Sequence, residues 1–184
     1  MTSPFRDPST ASTLLRPTSG VIDGAIHRYP LRVYYEDTDA GGVVYHANYI
    51  RWFERARSDL LEVLGIDQRA ALDSGEGLYT VAELAIRYLS PARLGDTVIV
   101  ETAARDVGRV RCTLQQVAWR DGQKLAEATV KVGFISPEGR PRRQPEAWQH
   151  AFDAVVASAT SGTAPEQPHR FAAPGKAPGT EGQE

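Results

Sequence analysis

The fold is decided by the stretch YYEDTDAGGVVYHANY, residues 34–49. An apolar strand pattern runs into a group of acids, then into two adjacent glycines, and then into a histidine near the start of a helical pattern. The acids supply carboxylates, and the glycines allow the backbone to turn tightly. A carboxylate and the first turn of a helix are therefore predicted to lie close together, with the rest of the chain as their scaffold.

One long amphipathic helix is predicted to follow, over residues 49–64. Its apolar side chains recur at helical spacing and form one face, with Tyr49, Phe53, Ala56, Leu60 and Leu64. Asn48 is the predicted N-cap, because its side chain can accept a hydrogen bond from a free amide of the first turn. Gly65 is the predicted stop, because glycine readily takes the conformation that follows a helix. The apolar face must be buried against another element.

Five β-strands are predicted around this helix, over residues 27–36, 79–89, 97–104, 110–120 and 124–135, from alternating apolar side chains and β-branched residues. Asp121 and Gly122 predict a two-residue hairpin, because both accept positive φ. Consecutive strands joined by short turns imply an antiparallel sheet. The prediction is an α+β fold in which a curved five-stranded antiparallel sheet wraps around one long central helix. Its exposed sheet edges predict self-association.

Both ends of the chain are predicted to lie outside the folded domain. Residues 1–24 are rich in Ser, Thr, Pro and Gly without any period, which is typical of a loose, disordered arm. Residues 158–184 are dominated by Ala, Pro, Gly, Ser, Gln and Glu, which predicts a disordered tail. The domain is therefore expected over residues 25–157 and ends in a short helix over residues 146–157.

The composition excludes several classes of function. The net charge of −2 on 184 residues gives no electrostatic case for binding nucleic acid or an anionic membrane. No apolar run approaches the ~20 residues that cross a bilayer, and the first residues lack the apolar centre of a signal peptide. The single cysteine, Cys112, excludes an internal disulfide and a cysteine-built zinc site, and it favours a cytoplasmic location.

The order of elements and the motif DTDAGGVVYHANY, residues 37–49, resemble the hot-dog acyl-CoA thioesterases. The resemblance is greatest to the 4-hydroxybenzoyl-CoA thioesterase-like branch, which includes the Tol–Pal-associated acyl-CoA thioesterase of bacteria. It covers roughly residues 27–145, and the segment YLSPARLGD, residues 88–96, is also similar to that family. The resemblance implies hydrolysis of a coenzyme A thioester without a metal or a bound cofactor.

The same resemblance implies a site and an assembly. It makes the second acid of the motif, Asp39, the catalytic residue, and His46 stands where the Tol–Pal branch carries a histidine. It also implies homodimers that join their sheets edge to edge and often pair again into homotetramers, with active sites at the dimer interface. An acyl carrier protein or a cell-envelope protein is a candidate partner.

Thioester cleavage explains why these residue types are needed. Asp39 can act as a nucleophile or as a general base for water. The free amides at the start of a helix carry partial positive charge and can bind the oxyanion. The backbone N–H of Tyr45 or of His46 is the expected donor. The His46 side chain could orient water, bond the carbonyl or stabilise Asp39, and the sequence leaves these roles open.

Three further residues are predicted to contact the substrate. Gly42, next to Gly41, lets the thioester approach the backbone. Tyr45 and Tyr49 are candidates for the lining of an acyl pocket. Asp37 is interpreted as structural, and no third ligand is spaced to complete a metal site with the two aspartates.

Other candidates have weaker support. Glu54 is a rival acid on the helix, although its arginine neighbours favour an ion pair. Arg142 and Arg143 belong to a basic run that could contact the phosphates of coenzyme A. Two other functions stay open: a hot-dog dehydratase of hydroxyacyl thioesters that uses His46 with Glu54, and a non-catalytic protein that binds acyl-CoA or acyl carrier protein.

Overall fold

A computed structural model describes residues 18–161. In chain order its elements are β1 (Val21–Asp23), β2 (Ile26–Arg32), a 3-10 turn (Tyr35–Asp37), α1 (His46–Val63), α2 (Gln68–Asp73), β3 (Leu78–Tyr88), β4 (Thr97–Val107), β5 (Arg111–Arg120), β6 (Gln123–Ile135) and α3 (Glu146–Ser161). One sheet and three α-helices follow this order in the described residues, and the longest helix, α1, packs against the sheet at the centre of the fold. The predicted α+β class is therefore confirmed. No helix in residues 18–161 is long and apolar enough to cross a membrane.

The sheet has six strands in the order β1-β2-β4-β5-β6-β3, and every neighbouring pair is antiparallel. The prediction of five strands was wrong by one, because β1 lies inside the segment that was assigned to a loose arm. A strand of three residues is too short to produce a period in the sequence. Residues 1–17 lie outside the described part of the chain. The two sheet edges are β1 and β3.

The strand β2 ends at Arg32, four residues before the predicted end. The alternation of Val33 and Tyr35 suggested a longer strand, but the chain turns there instead. The carboxylate of Asp37 accepts a hydrogen bond from the N–H of Tyr34 at 2.8 Å, and the carbonyl of Tyr34 accepts one from the N–H of Asp37 at 3.1 Å. These two bonds close the 3-10 turn, and they leave Tyr34 and Tyr35 exposed.

The helix α1 begins at His46, three residues before the predicted start. Tyr45 is the N-cap, and Asn48 is the third helical residue, so the prediction of Asn48 as the cap was wrong. The Asn48 amide instead donates to the carbonyl of Asp37 at 2.8 Å. The predicted stop is confirmed: Gly65 has φ +73°, and its N–H donates to the carbonyl of Glu62 at 2.9 Å.

The apolar face of α1 is buried against the sheet. Its members include Tyr49, Trp52, Phe53, Ala56 and Leu60. The facing strand β6 contributes small buried side chains such as Ala126 and Ala128. The carbonyl of Phe53 accepts a hydrogen bond from the side chain of Gln116 on β5 at 2.9 Å, which shows how closely helix and sheet approach.

The helix α3 covers the end of the sheet where β3 begins. Trp148 contacts the rings of Tyr79 and Phe134, with centroid distances of 5.7 and 5.5 Å. Phe152 is buried in a small cluster with Leu60 and Leu61 of α1. The helix α3 continues to Ser161, four residues beyond the end predicted for the terminal helix. Residues 162–184 lie outside the described part of the chain.

Candidate active site

Asp39 lies in a tight, exposed loop that a bridge between Thr38 and Val44 closes. The N–H of Asp39 donates to the carbonyl of Val43 at 2.9 Å, and the N–H of Gly42 donates to the carbonyl of Asp39 at 3.0 Å. Gly42 has φ +70°, which L side chains rarely adopt. Oδ1 of Asp39 accepts the N–H of Gly41 at 2.8 Å, whereas Oδ2 has no hydrogen-bond partner within residues 18–161.

The carbonyl of Asp37 ties this loop to the first turn of α1. It accepts the N–H of Tyr45 at 2.9 Å and the side-chain amide of Asn48 at 2.8 Å. The N–H of Val44 donates to the carbonyl of Ala92 at 2.9 Å, which fixes the other side of the loop. Asp37 therefore has a structural role through both its carboxylate and its carbonyl.

The first turn of α1 leaves two amides unpaired. The N–H of Asn48 donates to the carbonyl of Tyr45 at 2.9 Å, and the N–H of Tyr45 is already bound to Asp37. The amides of His46 and Ala47 have no partner in the described part of the chain, as is usual for the first residues of a helix. Of the two oxyanion donors that the sequence suggested, the amide of His46 is the free one.

The side chain of His46 belongs to an exposed aromatic group. Its ring lies 4.4 Å from the ring of Tyr45 and 6.1 Å from that of Tyr88, measured between centroids. The hydroxyl of Tyr88 donates to the carbonyl of His46 at 3.1 Å, and partial burial raises the pKa of Tyr88. No hydrogen bond joins the His46 ring to Asp39 among the described residues. Tyr88 was not predicted as a site residue, because the sequence indicated only that it lies near the end of a strand and begins the family-like segment 88–96.

Tyr49 supports the site from the core. Its side chain is 3% exposed, and its hydroxyl accepts the N–H of Ala92 at 2.8 Å. Burial raises the pKa of Tyr49. Its ring also contacts Tyr88 edge-on, with the centroids 5.6 Å apart. Contact between Tyr49 and a substrate stays a prediction.

The remaining candidates lie away from the Asp39 loop. Glu54 is eight residues beyond His46, or about 12 Å along the helix axis, and it accepts the hydroxyl of Ser58 at 2.8 Å. Arg142 donates to the carbonyl of Gly75 at 2.8 Å, near the start of β3, whereas Tyr88 ends that strand. Arg143 is exposed next to it. Residues 18–161 contain no group of three or more His, Cys, Asp or Glu that could hold a metal.

A family model described as the thioesterase-like superfamily matches residues 33–158, which include the Asp39 loop, α1 and strands β3 to β6. The chain belongs to this superfamily. It is 41% identical over 127 residues to the acyl-CoA thioesterase YbgC of Haemophilus influenzae, a match that covers 66% of this chain and 93% of that relative. The Escherichia coli acyl-CoA thioester hydrolase YbgC is 36% identical, with 68% and 94% covered.

Solved structures of other thioesterases have a similar fold. A probable thioesterase from Bartonella henselae is 34% identical, with a TM-score of 0.62, and the match covers 66% of this chain and 100% of that one. A DHNA-CoA thioesterase from Staphylococcus aureus reaches a TM-score of 0.69 at 24% identity, with 75% and 95% covered, and it is evidence for the fold alone. The predictions of the family, of the hot-dog fold and of a thioester hydrolase are confirmed.

Proposed function

We propose that this thioesterase hydrolyses acyl-CoA thioesters to a free acid and coenzyme A, with Asp39 and the first turn of α1 as its reactive groups. The observation that carries the proposal is the link through Asp37, which holds the Asp39 loop beside the unpaired amides of His46 and Ala47. The acyl-CoA activity named for its YbgC relatives supports this substrate class.

The reaction needs one group on each side of the thioester carbonyl. The carbonyl oxygen accepts a hydrogen bond from the N–H of His46, and the positive end of the helix dipole stabilises the developing oxyanion. Asp39 attacks the carbonyl carbon or removes a proton from an attacking water.

If Asp39 attacks, the C–S bond breaks after its C–O bond forms, the thiolate of coenzyme A takes up a proton from solvent, and water then hydrolyses the mixed anhydride to the free acid and the Asp39 carboxylate. If Asp39 acts as a base, the new C–O bond joins the acyl carbon to the water oxygen, the C–S bond breaks, and the proton that Asp39 removed passes to the departing thiolate.

The other site residues assist by position. Gly42 keeps the loop in a turn that leaves Asp39 exposed. The ring of His46 is free of Asp39, which supports a contact with the substrate or with water. Tyr45 is 48% exposed and offers ring surface to the substrate beside that histidine. Because His46 and Glu54 lie about 12 Å apart along the helix, no observation favours the dehydratase alternative within one chain.

Replacement of the carboxylate tests the proposal. We expect Asp39→Asn to lower kcat by about 10²–10⁴-fold, the usual contribution of a positioned acid or base. The assay follows thiol release across a panel of acyl-CoAs that differ in chain length. Glu36→Gln is the matched control, because Glu36 is an exposed acid of the same segment. Wild-type kcat in Asp39→Asn would refute the assignment, and binding without turnover in the wild type would favour the non-catalytic alternative.

We infer further that two copies pair through β3. This edge strand has eleven residues, and Val81, Tyr88 and Leu89 beside or within it are 44–49% exposed. A long apolar edge is a template for another strand, and a two-fold axis makes the new pair antiparallel. We expect a dimer or tetramer by light scattering, and a shift toward the monomer in Val81→Asp. A wild-type protein that is monomeric by light scattering would contradict the pairing.

Location and partners are part of the same proposal. Cys112 is a free, buried thiol, which is compatible with a cytoplasmic enzyme. An acyl carrier protein or a cell-envelope protein would bind the assembled oligomer. The test is co-purification of the tagged full chain with an acyl carrier protein or a cell-envelope protein. The same experiment with Asp39→Asn shows whether the partner binds independently of turnover.

A further inference from the structure

A cavity of about 140 Å³ lies between the second half of α1 and the beginning of β3. Its inner wall is apolar and includes Leu60, Leu61, Leu114, Val132 and Phe152. Its polar lining includes Glu54, Arg57 and Ser58 on α1, together with Gln68, Tyr79 and Thr80. An apolar cavity of about 150 Å³ holds a benzene molecule. This cavity therefore suits a group of about six non-hydrogen atoms.

Arg57 is held in the cavity lining by a buried amide. Its Nη1 donates to Oε1 of Gln116 at 2.8 Å. Gln116 is fully buried, and its Nε2 donates to the carbonyl of Phe53 and to the hydroxyl of Thr102, each at 2.9 Å. These two bonds fix the amide with its oxygen toward Arg57. The position of the guanidinium is therefore preorganised.

The charge of Arg57 is not matched by an ion pair. No carboxylate in residues 18–161 forms a salt bridge with it, and its one hydrogen bond goes to a neutral amide. Burial lowers the pKa of Arg57, while the nearby charge of Glu54 opposes that effect. A guanidinium stays protonated in proteins, and a half-buried cation is unfavourable without an anion. Glu54 lines the same cavity, but its carboxylate accepts the hydroxyl of Ser58 and forms no salt bridge with Arg57, so no carboxylate within residues 18–161 is in direct contact with the guanidinium.

The proposed dimer brings this cavity to a catalytic loop. Full antiparallel overlap of two copies of β3 places Tyr88 of one chain opposite Leu78 of the other. Tyr88 contacts His46, and Thr80 and Val81 line the cavity. In this arrangement the first turn of α1 in one chain lies near the cavity of the other chain.

We propose that the cavity receives the distal part of the acyl group and that Arg57 of the partner subunit selects acyl groups ending in a carboxylate. The preferred substrates are then short dicarboxylic acids joined to coenzyme A through one carboxyl group. This inference rests on the proposed thioesterase function and on pairing through β3. Arg57 is suited to such a terminus because a guanidinium binds a carboxylate through two parallel hydrogen bonds.

Two substrates of equal size test the selection. Glutaryl-CoA and 5-methylhexanoyl-CoA carry the same number of non-hydrogen atoms beyond the thioester carbonyl, and only the first ends in a charge. We expect wild-type kcat/KM to favour glutaryl-CoA by about tenfold or more, the usual effect of a hydrogen-bonded charge. Arg57→Gln should bring this ratio to about one or below. Glu54→Gln should raise the ratio about two- to threefold above the wild-type value, because it removes a negative charge that repels the terminal carboxylate of glutaryl-CoA.

Arg55→Gln is the matched control, because Arg55 is an exposed arginine of the same helix that does not line the cavity. It should keep the wild-type ratio. A wild-type preference for 5-methylhexanoyl-CoA, or an equal fall for both substrates in Arg57→Gln, would overturn the inference. The wild-type ratio decides the matter even where Arg57→Gln does not fold.

The two proposals fail in different ways. One result would refute the selection by Arg57 and leave the thioesterase site in place. In that result, hydrolysis of 5-methylhexanoyl-CoA depends on Asp39, but the enzyme does not prefer glutaryl-CoA. If Asp39→Asn hydrolyses either substrate as fast as the wild type does, the proposed function is refuted. This inference is then refuted with it.

Discussion

The first turn of α1 presents backbone amides to solvent, whereas the second half of the same helix presents side chains to buried partners. At the first turn, Asp37 binds Tyr45 and Asn48 and leaves the amides of His46 and Ala47 free. In the second half, Arg57 is bound to Gln116, and Asp59 is bound to His27 at 2.7 Å. The first turn thus offers free backbone groups, whereas the second half of the helix is held by side-chain networks.

The two halves of α1 should respond differently to substitution. A backbone amide survives almost every change of side chain, so only proline removes it. A buried side-chain network is lost with one substitution, because each member depends on the others. Three predictions follow the order of their expected effect.

His46→Pro should have the largest effect. Proline removes the free N–H but is well tolerated at the first position of a helix, and Tyr45 already has φ −61° and ψ 133°, which suit a residue before proline. We expect kcat to fall about 10²–10³-fold, the usual cost of one oxyanion donor. Because proline also deletes the imidazole, the comparison is made with His46→Ala, which keeps the amide. Equal kcat in the two variants would show that the amide of His46 does not contribute to catalysis.

Gln116→Leu should destabilise the fold and weaken the selection by Arg57. The change leaves the carbonyl of Phe53 and the hydroxyl of Thr102 without their donor. The free energy of unfolding should therefore fall by about 1–3 kcal/mol. Urea unfolding measures this loss, and Gln115→Leu on the neighbouring position of β5 is the control. A variant as stable as the wild type would show that the buried amide is not needed for packing.

A pH dependence of stability should be the smallest effect. Burial lowers the pKa of His27, although the hydrogen bond to Asp59 opposes this shift. The folded state then takes up its proton at lower pH than the unfolded state, whose pKa is about 6.5. The contribution of His27 is therefore complete above that pH and decreases as the pH falls below it.

The measurement for His27 is the melting temperature between pH 7.5 and 5.5. The fall in melting temperature from pH 7.5 to 5.5 should be smaller in His27→Gln than in the wild type. It should be the same as in the wild type in His150→Gln, because His150 is exposed. Asp59 also accepts the hydroxyl of Ser19 at 2.9 Å and the N–H of Gly20 at 2.8 Å, so loosening of β1 should accompany the effect. A steeper dependence in His27→Gln than in the wild type would reverse the assigned sign.

Local signals predicted the parts of the fold that depend on single residues. The Asp121–Gly122 hairpin is confirmed, with φ of 48° and 79°, because few other pairs accept these angles. The helix stop at Gly65 is confirmed for the same reason. The end of β2 and the start of α1 were misplaced, because the hydrogen bonds of Asp37 to Tyr34 and Asn48 override the alternation of apolar residues.

The order of the central elements, the amphipathic helix and the loop that joins Asp39 to His46 can be predicted from sequence, since these depend on neighbours within a few positions. Long-range packing establishes which amides are free and that Arg57 meets Gln116, 59 residues further along the chain. It also decided that Asp59 meets His27, 32 residues earlier. The physical reason is that burial and hydrogen-bond partners are properties of the packed sheet and helix, and no local pattern encodes them.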